Sequence, residues 1–232
     1  MSLCLATRSD VTPVEVARRE YVYLPLIVES VQGLAVHALL ATSPSEYIEI
    51  IKNVFVGKDE RPVDKPSEEA RNRARLSYRL LESFHTVPGK VEGGVIDQAA
   101  LRAWVQEVRK LATECGRGDI TDEFIGRLLA HAKPDSANES WPPNPIANLL
   151  DELAVDRLER GIEVERFNMR GAYSKAIDEG GGQERELAAR YRSWAEQTSS
   201  PRTAALLERI AEGWDADARR ADISAEQGRL KR

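Results

Sequence analysis

Apolar residues recur along this chain at three- and four-residue spacings, and polar caps mark where most of those runs begin. Thr12-Pro13-Val14-Glu15 is the first start: Thr12 caps free amides, Pro13 sits where its missing N–H costs nothing, and Glu15 completes a capping box. Val16, Tyr23, Leu24 and Ile27 then predict a helix towards Ser30, kinked or divided at Pro25, which removes an internal hydrogen bond. Gly33 breaks that run, and 34–40 predicts a second, short helix. Ser43-Pro44-Ser45-Glu46 repeats the start signal with Ser43 as N-cap, launching a broad apolar face of Tyr47, Ile48, Ile50, Ile51, Val54 and Phe55. The charged, proline-containing stretch 57–65 reads as an exposed loop with little order of its own.

Pro66-Ser67-Glu68-Glu69 opens a long helix to about Phe84, with Ala70, Ala74, Tyr78 and Leu81 as the expected apolar face and Arg71, Arg73 and Arg75 on others. Pro88-Gly89 ends it, and Gly93-Gly94 reads as a linker before Asp97, which caps a helix carrying Leu101, Trp104, Val105, Val108 and Leu111. Gly116 and Gly118 stop that helix. Thr121 or Asp119 is then the expected cap of a helix from Asp122 to about Ala132, and 133–144 is the longest turn-rich interval. Asn144-Pro145 starts a helix through Ile146, Leu149, Leu150, Leu153 and Leu158 that is expected to end at Gly161. Residues 162–171 alternate apolar and polar, but no second strand-like run exists to pair with them, so loop or short helix is expected there. Beyond Gly180-Gly181-Gly182, a helical hairpin is expected from Gln183 to Gln197 and from Pro201 to about Gln227.

The fold class that follows is all-α, as an irregular helical bundle or a short HEAT-like array of helical hairpins, since helix-turn-helix units of roughly 40 residues recur without a fixed consensus. A single helical domain is expected over 11–228, with a sub-boundary near 87–96 and a flexible connection near 172–182. Residues 1–10 form an N-terminal tail and 229–232 a frayed C-terminus.

Composition narrows the classes. With 15 Gly and 2 Cys among 232 residues, and no run of roughly 20 apolar residues, collagen-like, disulfide-framework and membrane-spanning classes are excluded. Thirty-three basic residues interleave with 38 acidic ones for a net charge of −5, so a phosphate-neutralising grip on nucleic acid is not expected. Runs such as Glu184-Arg185-Glu186 read as solvated helix faces. Cys4 and Cys115 are far apart without metal-ligand spacing. The apolar cluster Leu3–Ala6 is too short for a signal peptide, so a reducing, cytoplasmic setting is expected.

Candidate chemistry is sparse. His37, His85 and His131 fall in separate helices or helix ends with no ligand motif, so no metal and no cofactor is implied. His85, beside Thr86 and Pro88, is kept as a binding candidate without a nucleophile or acid tied to it. Gly180-Gly181-Gly182 before a helix invites a phosphate-loop reading. The P-loop lysine is absent, however, and Asp178, Glu179, Glu184 and Glu186 oppose an anion, so a hinge is favoured. Glu68-Glu69, Asp151-Glu152, and Glu163 with Glu165 are acidic pairs with no spacing that makes an acid and a base. Trp141-Pro142-Pro143-Asn144 and Phe167-Asn168-Met169-Arg170-Gly171 place large side chains beside turns, where each plugs the core or anchors a partner. Asn168 and Arg170 read as a loop-locking network or a recognition pair. Gln183 and Arg185 join Trp141 as further binding candidates, and no residue is assigned as catalytic.

Several phrases taken together carry a resemblance: Arg19-Glu20-Tyr21 with Tyr23-Leu24-Pro25-Leu26, Ser45-Glu46-Tyr47-Ile48-Glu49, Leu80-Leu81-Glu82-Ser83-Phe84, Trp141-Pro142, Phe167-Asn168-Met169-Arg170-Gly171 and Gly180-Gly181-Gly182-Gln183-Glu184-Arg185. Their order over residues 15–225 resembles the C-terminal helical region of large, poorly characterised bacterial proteins, some with HEAT-like repeats. The resemblance implies a scaffold or sensing segment of a larger multidomain, defence-related protein, and transfers no catalytic residue. The expected function is therefore a protein-interaction or scaffold module acting on a protein partner or on other domains of a parent chain. A regulatory small-molecule or nucleotide-binding domain is the alternative, and a helical hydrolase the third. A non-enzymatic role is favoured.

Overall fold

The computed structural model describes residues 12–24, 33–135, 139–176 and 179–230. The expected tail over 1–10, the first helix beyond Leu24 with its Pro25 kink, and residues 231–232 lie outside them. The described residues form ten α-helices and no strand, with one antiparallel bridge between Lys90 and Ile96. Among them, no helix is long and apolar enough to cross a membrane. The chain divides into two compact units, Met1–His131 and Ala132–Arg232. The expected sub-boundary near 87–96 thus falls inside the first unit. That stretch is a tight turn and no linker: Val87 is buried, Asp97 N–H donates to Gly89 O at 2.8 Å, and Val91 N–H to Val95 O at 2.9 Å. Gly89 has φ +74°, and a Cβ there would sit 2.8 Å from the Leu101 nitrogen, so a side chain is excluded on both counts.

The first unit contains α1 (Pro13–Tyr23), α2 (Ala35–Thr42), α3 (Pro44–Val54), α4 (Glu68–Ser83), α5 (Gln98–Glu114) and α6 (Gly118–Ala130). Thr12, Ser67 and Asp97 each accept a hydrogen bond from the amide three residues on, which fixes the starts of α1, α4 and α5. Ser43 occupies the N-cap of α3 without such a bond, its hydroxyl lying 3.1 Å from Ser45 Oγ instead. The expected start at Asp122 moves forward to Gly118, and Arg117, not Thr121 or Asp119, is the N-cap. On α4 the buried set is Ser77, Leu80 and Leu81, while Tyr78 is 40% exposed. Ser77 replaces an apolar residue in that face because Tyr21 Oη reaches it from α1 at 2.8 Å.

Ile51, Leu80, Leu101, Val105, Val108, Ile125 and Leu129 are fully buried, each worth about 1.5–3 kcal/mol relative to exposure. Tyr47 lies between the Phe84 and Trp104 rings at centroid distances of 5.9 and 5.1 Å. The Trp104 indole donates to Leu40 O at 3.0 Å, so its burial leaves no orphaned N–H. The loop after α3 is pinned at its root: Arg117 donates to Phe55 O (2.7 Å), Cys115 O (2.7 Å) and the Glu60 carboxylate (2.5 Å).

The second unit contains α7 (Asn144–Leu153), α8 (Asp156–Asn168), α9 (Gly182–Gln197) and α10 (Pro201–Leu230). One expected helix ending at Gly161 is here two. Ala154 takes a left-handed conformation (φ 50°, ψ 48°) and α8 starts afresh at Asp156, then runs through Gly161 to Asn168. The apolar alternation over 162–171 was thus no strand signal, since Leu158 and Ile162 are buried four residues apart on one helical face. Asp156 and Glu159 favour the new N-terminus, and Glu159, buried, is held by Arg202 and Arg209 of α10. Antiparallel α9 and α10 pack through Ala188, Tyr191 and Ala195 on one side and Leu207, Ile210, Ala211, Trp214 and Ala218 on the other. Arg185–Asp222 and Arg192–Asp215 form two ionic rungs across this hairpin.

Candidate functional site

A polar cluster surrounds the turn from α8 to α9, and it gathers two of the residues singled out in the sequence, Arg170 and Gln183. Glu184, in the first turn of α9, has a side chain only 2% exposed. Arg170 Nη1 donates to its carboxylate at 2.5 Å and Lys175 Nζ donates to the other oxygen. Arg170 Nη2 also reaches Gln183 Oε1 at 3.1 Å, and Lys175 reaches Gly180 O at 2.8 Å. The Arg170 guanidinium lies 3.4 Å from the Tyr173 ring centroid and 5.3 Å from that of Trp214. Burial pushes the Glu184 carboxyl up, but the Lys175 and Arg170 bonds outweigh it and hold it below the usual carboxylate range. Glu184, read in the sequence as part of a solvated run, is therefore the buried centre of this cluster. Both its oxygens carry a cation, so the carboxylate locks a connection and is not poised to move a proton.

Arg185 lies outside that centre and pairs with Asp222 of α10. Asp222 Oδ1 accepts the Gly181 N–H at 2.8 Å. That amide is the one an anion at the start of α9 would seek, and an aspartate already holds it. A Cβ on Gly181 would lie 2.6 Å from Ala218 Cα and closer still to the Ala218 carbonyl oxygen, so this glycine is needed for the approach of α9 to α10. We expect Gly181→Ala to cost about 1–3 kcal/mol in the second unit; a urea midpoint equal to wild type would show that the helices do not meet there.

Trp141 is 1% exposed, its peptide bond to Pro142 is cis, and its indole donates to Ala132 O at 3.1 Å. Tyr191 and Trp194 approach it at 6.5 and 6.2 Å, and Arg166 lies 4.2 Å from its ring centroid while donating to Tyr191 Oη at 2.7 Å. Of the two alternatives for Trp141, core plug or exposed anchor, the geometry is that of the plug. Asn168 is exposed at the end of α8, with Nδ2 3.5 Å from Glu165 Oε2, and does not join the Arg170 cluster.

No protein-family model, curated protein or solved structure matches this chain. Its own residues are then the guide to what it does.

His85 belongs to the first unit, and there the structure brings together what spacing kept apart. The His85 and His131 rings stack with centroids 3.5 Å apart and planes 15° from parallel. His37, buried, contacts Phe84 and places Nε2 3.1 Å from Ser83 Oγ. Desolvation, then the charge of His85, lowers its pKa to about 4. All three histidines of the chain thus share one neighbourhood, although 48 and 46 positions separate them in sequence. No local signal foretells this, because it arises from packing of helices distant in the chain.

Proposed function

We propose that this chain is a helical protein-interaction module whose docking face is the solvent side of α4. One observation carries the reading. Arg71, Arg75 and Arg79 recur every fourth residue on the side of α4 opposite its buried set, spanning about 12 Å. Tyr78 lies exposed at their edge. Among the described residues neither Arg75 nor Arg79 has an acidic partner, whereas Arg73 is paired with Glu69. Arginine and tyrosine are the residues that interfaces favour, and the guanidinium fork fits a carboxylate bidentately. Glu68 and Glu82 close the stripe at both ends. A short acidic polypeptide segment matches that length, while a polyphosphate chain would run over the flanking carboxylates.

The locked connections at Glu184, Arg117 and Glu159 support the same reading, since a pre-organised scaffold loses less entropy on binding. The resemblance to C-terminal regions of larger bacterial proteins, with HEAT-like repeats, fits a cytoplasmic scaffold segment serving other domains or a separate protein.

The test is quantitative co-purification from the native host with wild type and with an Arg75→Glu/Arg79→Glu variant of unchanged circular dichroism. A near-stoichiometric protein partner, lost at least about tenfold in the variant and weakened by salt, is expected. Recovery of nucleic acid, or a partner equally retained by the variant, would overturn the α4 face. Absence of any protein partner, with nucleotides raising the melting temperature by more than about 4 °C, would favour the small-molecule alternative.

A further inference from the structure

We propose that His85 and His131 bind a divalent late first-row metal ion, of the class of Zn²⁺ and Cu²⁺, between their imidazole rings. Imidazole suits these ions, and the ring nitrogens of the two residues lie within 4.8 Å of each other, a separation that a small side-chain rotation converts into shared coordination. His85 is exposed and His131 half-buried, so an ion reaches the pair from solvent.

Their placement adds a second reason. His131 is the C-cap of α6, and His85 follows Phe84, the C-cap of α4. Two helix C-termini therefore end beside this spot, and the negative ends of their dipoles favour positive charge there. On binding, the stacked rings open into a V that aims one lone pair from each at the ion, with water or another donor completing the shell. His37, anchored on Ser83 two residues before His85, packs behind the pair and is not a ligand in this proposal.

The full chain, stripped with chelator and dialysed, is titrated with ZnCl₂ and with CuCl₂ by calorimetry. One equivalent of either metal is expected to bind, with Cu²⁺ tighter than Zn²⁺. The Cu²⁺ form should show electron-spin-resonance splitting from two imidazole nitrogens. Loss of a supporting group around a metal commonly weakens binding by about 10–100-fold, so His85→Ala and His131→Ala, which remove ligands, should each weaken it by at least about tenfold. A Cys4→Ser/Cys115→Ser variant should bind as wild type. His85→Gln and His131→Gln variants, checked for native circular dichroism, separate ligand loss from misfolding. The proposal is overturned if no metal binds the wild type, if the histidine variants bind it equally well, if affinity disappears with the cysteines, or if Mg²⁺ binds as tightly as Zn²⁺.

Discussion

Replacing Glu184 by alanine should lower the unfolding free energy of the second unit by about 3–5 kcal/mol, because it leaves the Arg170 and Lys175 cations facing each other without a counter-charge. Their side chains are only 12% and 16% exposed, so water does not readily take the place of the lost carboxylate. Glu184→Gln keeps the shape and one accepting oxygen and should cost less. Urea unfolding followed by tryptophan fluorescence reads the difference, since Trp141, Trp194 and Trp214 all lie in that unit. The carboxyl is held below its ordinary range in the folded state. Its contribution is therefore complete above the unfolded pKa and is lost as pH falls through the folded one, below about 4.5. A penalty under about 1 kcal/mol would mean that the pair behaves as an exposed ion pair.

Acidification should destabilise the first unit between pH 6.5 and about 4, the window bounded by the ordinary pKa of His37 and its value in the fold. The unfolded chain takes up a proton on His37 as pH drops through 6.5, while the buried ring refuses it until about 4, so the unfolded state gains. Full linkage over that window, discounted for residual solvent near the ring, gives about 2 kcal/mol. His37→Phe retains the ring packing against Phe84 and removes the titration. In a chelator-containing buffer, the difference in urea midpoint between wild type and His37→Phe should therefore change steadily from about pH 7 to pH 4.5. A constant difference would show that the ring is already solvated.

Local rules governed what could be seen in the sequence. Thr12, Ser67 and Asp97 cap helices where their spacing predicts, because a capping bond closes within three residues and needs nothing distant. The all-helical class followed from the same kind of signal. What escaped was set by partners remote in the chain. The break at Ala154 carries no glycine or proline to announce it. Arg117 became a helix cap because its guanidinium is held 57 positions away by Glu60. Glu184 looked like one more surface charge, although an acidic residue in the first turn of a helix, with Arg170 and Lys175 just upstream, is a pattern that points to a buried clamp. On α4, the sequence pattern places Arg71, Arg73 and Arg75 together off the apolar face and does not single out Arg79; only the buried face of the helix shows that Arg71, Arg75 and Arg79 form one stripe.

The two ionic rungs of the α9–α10 hairpin have a consequence for how its helices find their alignment. Arg185 and Arg192 are seven residues apart, as are Asp215 and Asp222, so the ladder has the same period on both rails. A slip of two helical turns would still bring Arg185 opposite Asp215 and Arg192 opposite Glu208, which already lies 3.7 Å from it, so both rungs would be replaced. It would also move Gly181 from Ala218 to Ala211 and break the bond from the Gly181 N–H to Asp222 Oδ1. Charge between side chains thus gives the hairpin its coarse scale, and the Asp222 carboxylate seated on the Gly181 amide gives its fine one.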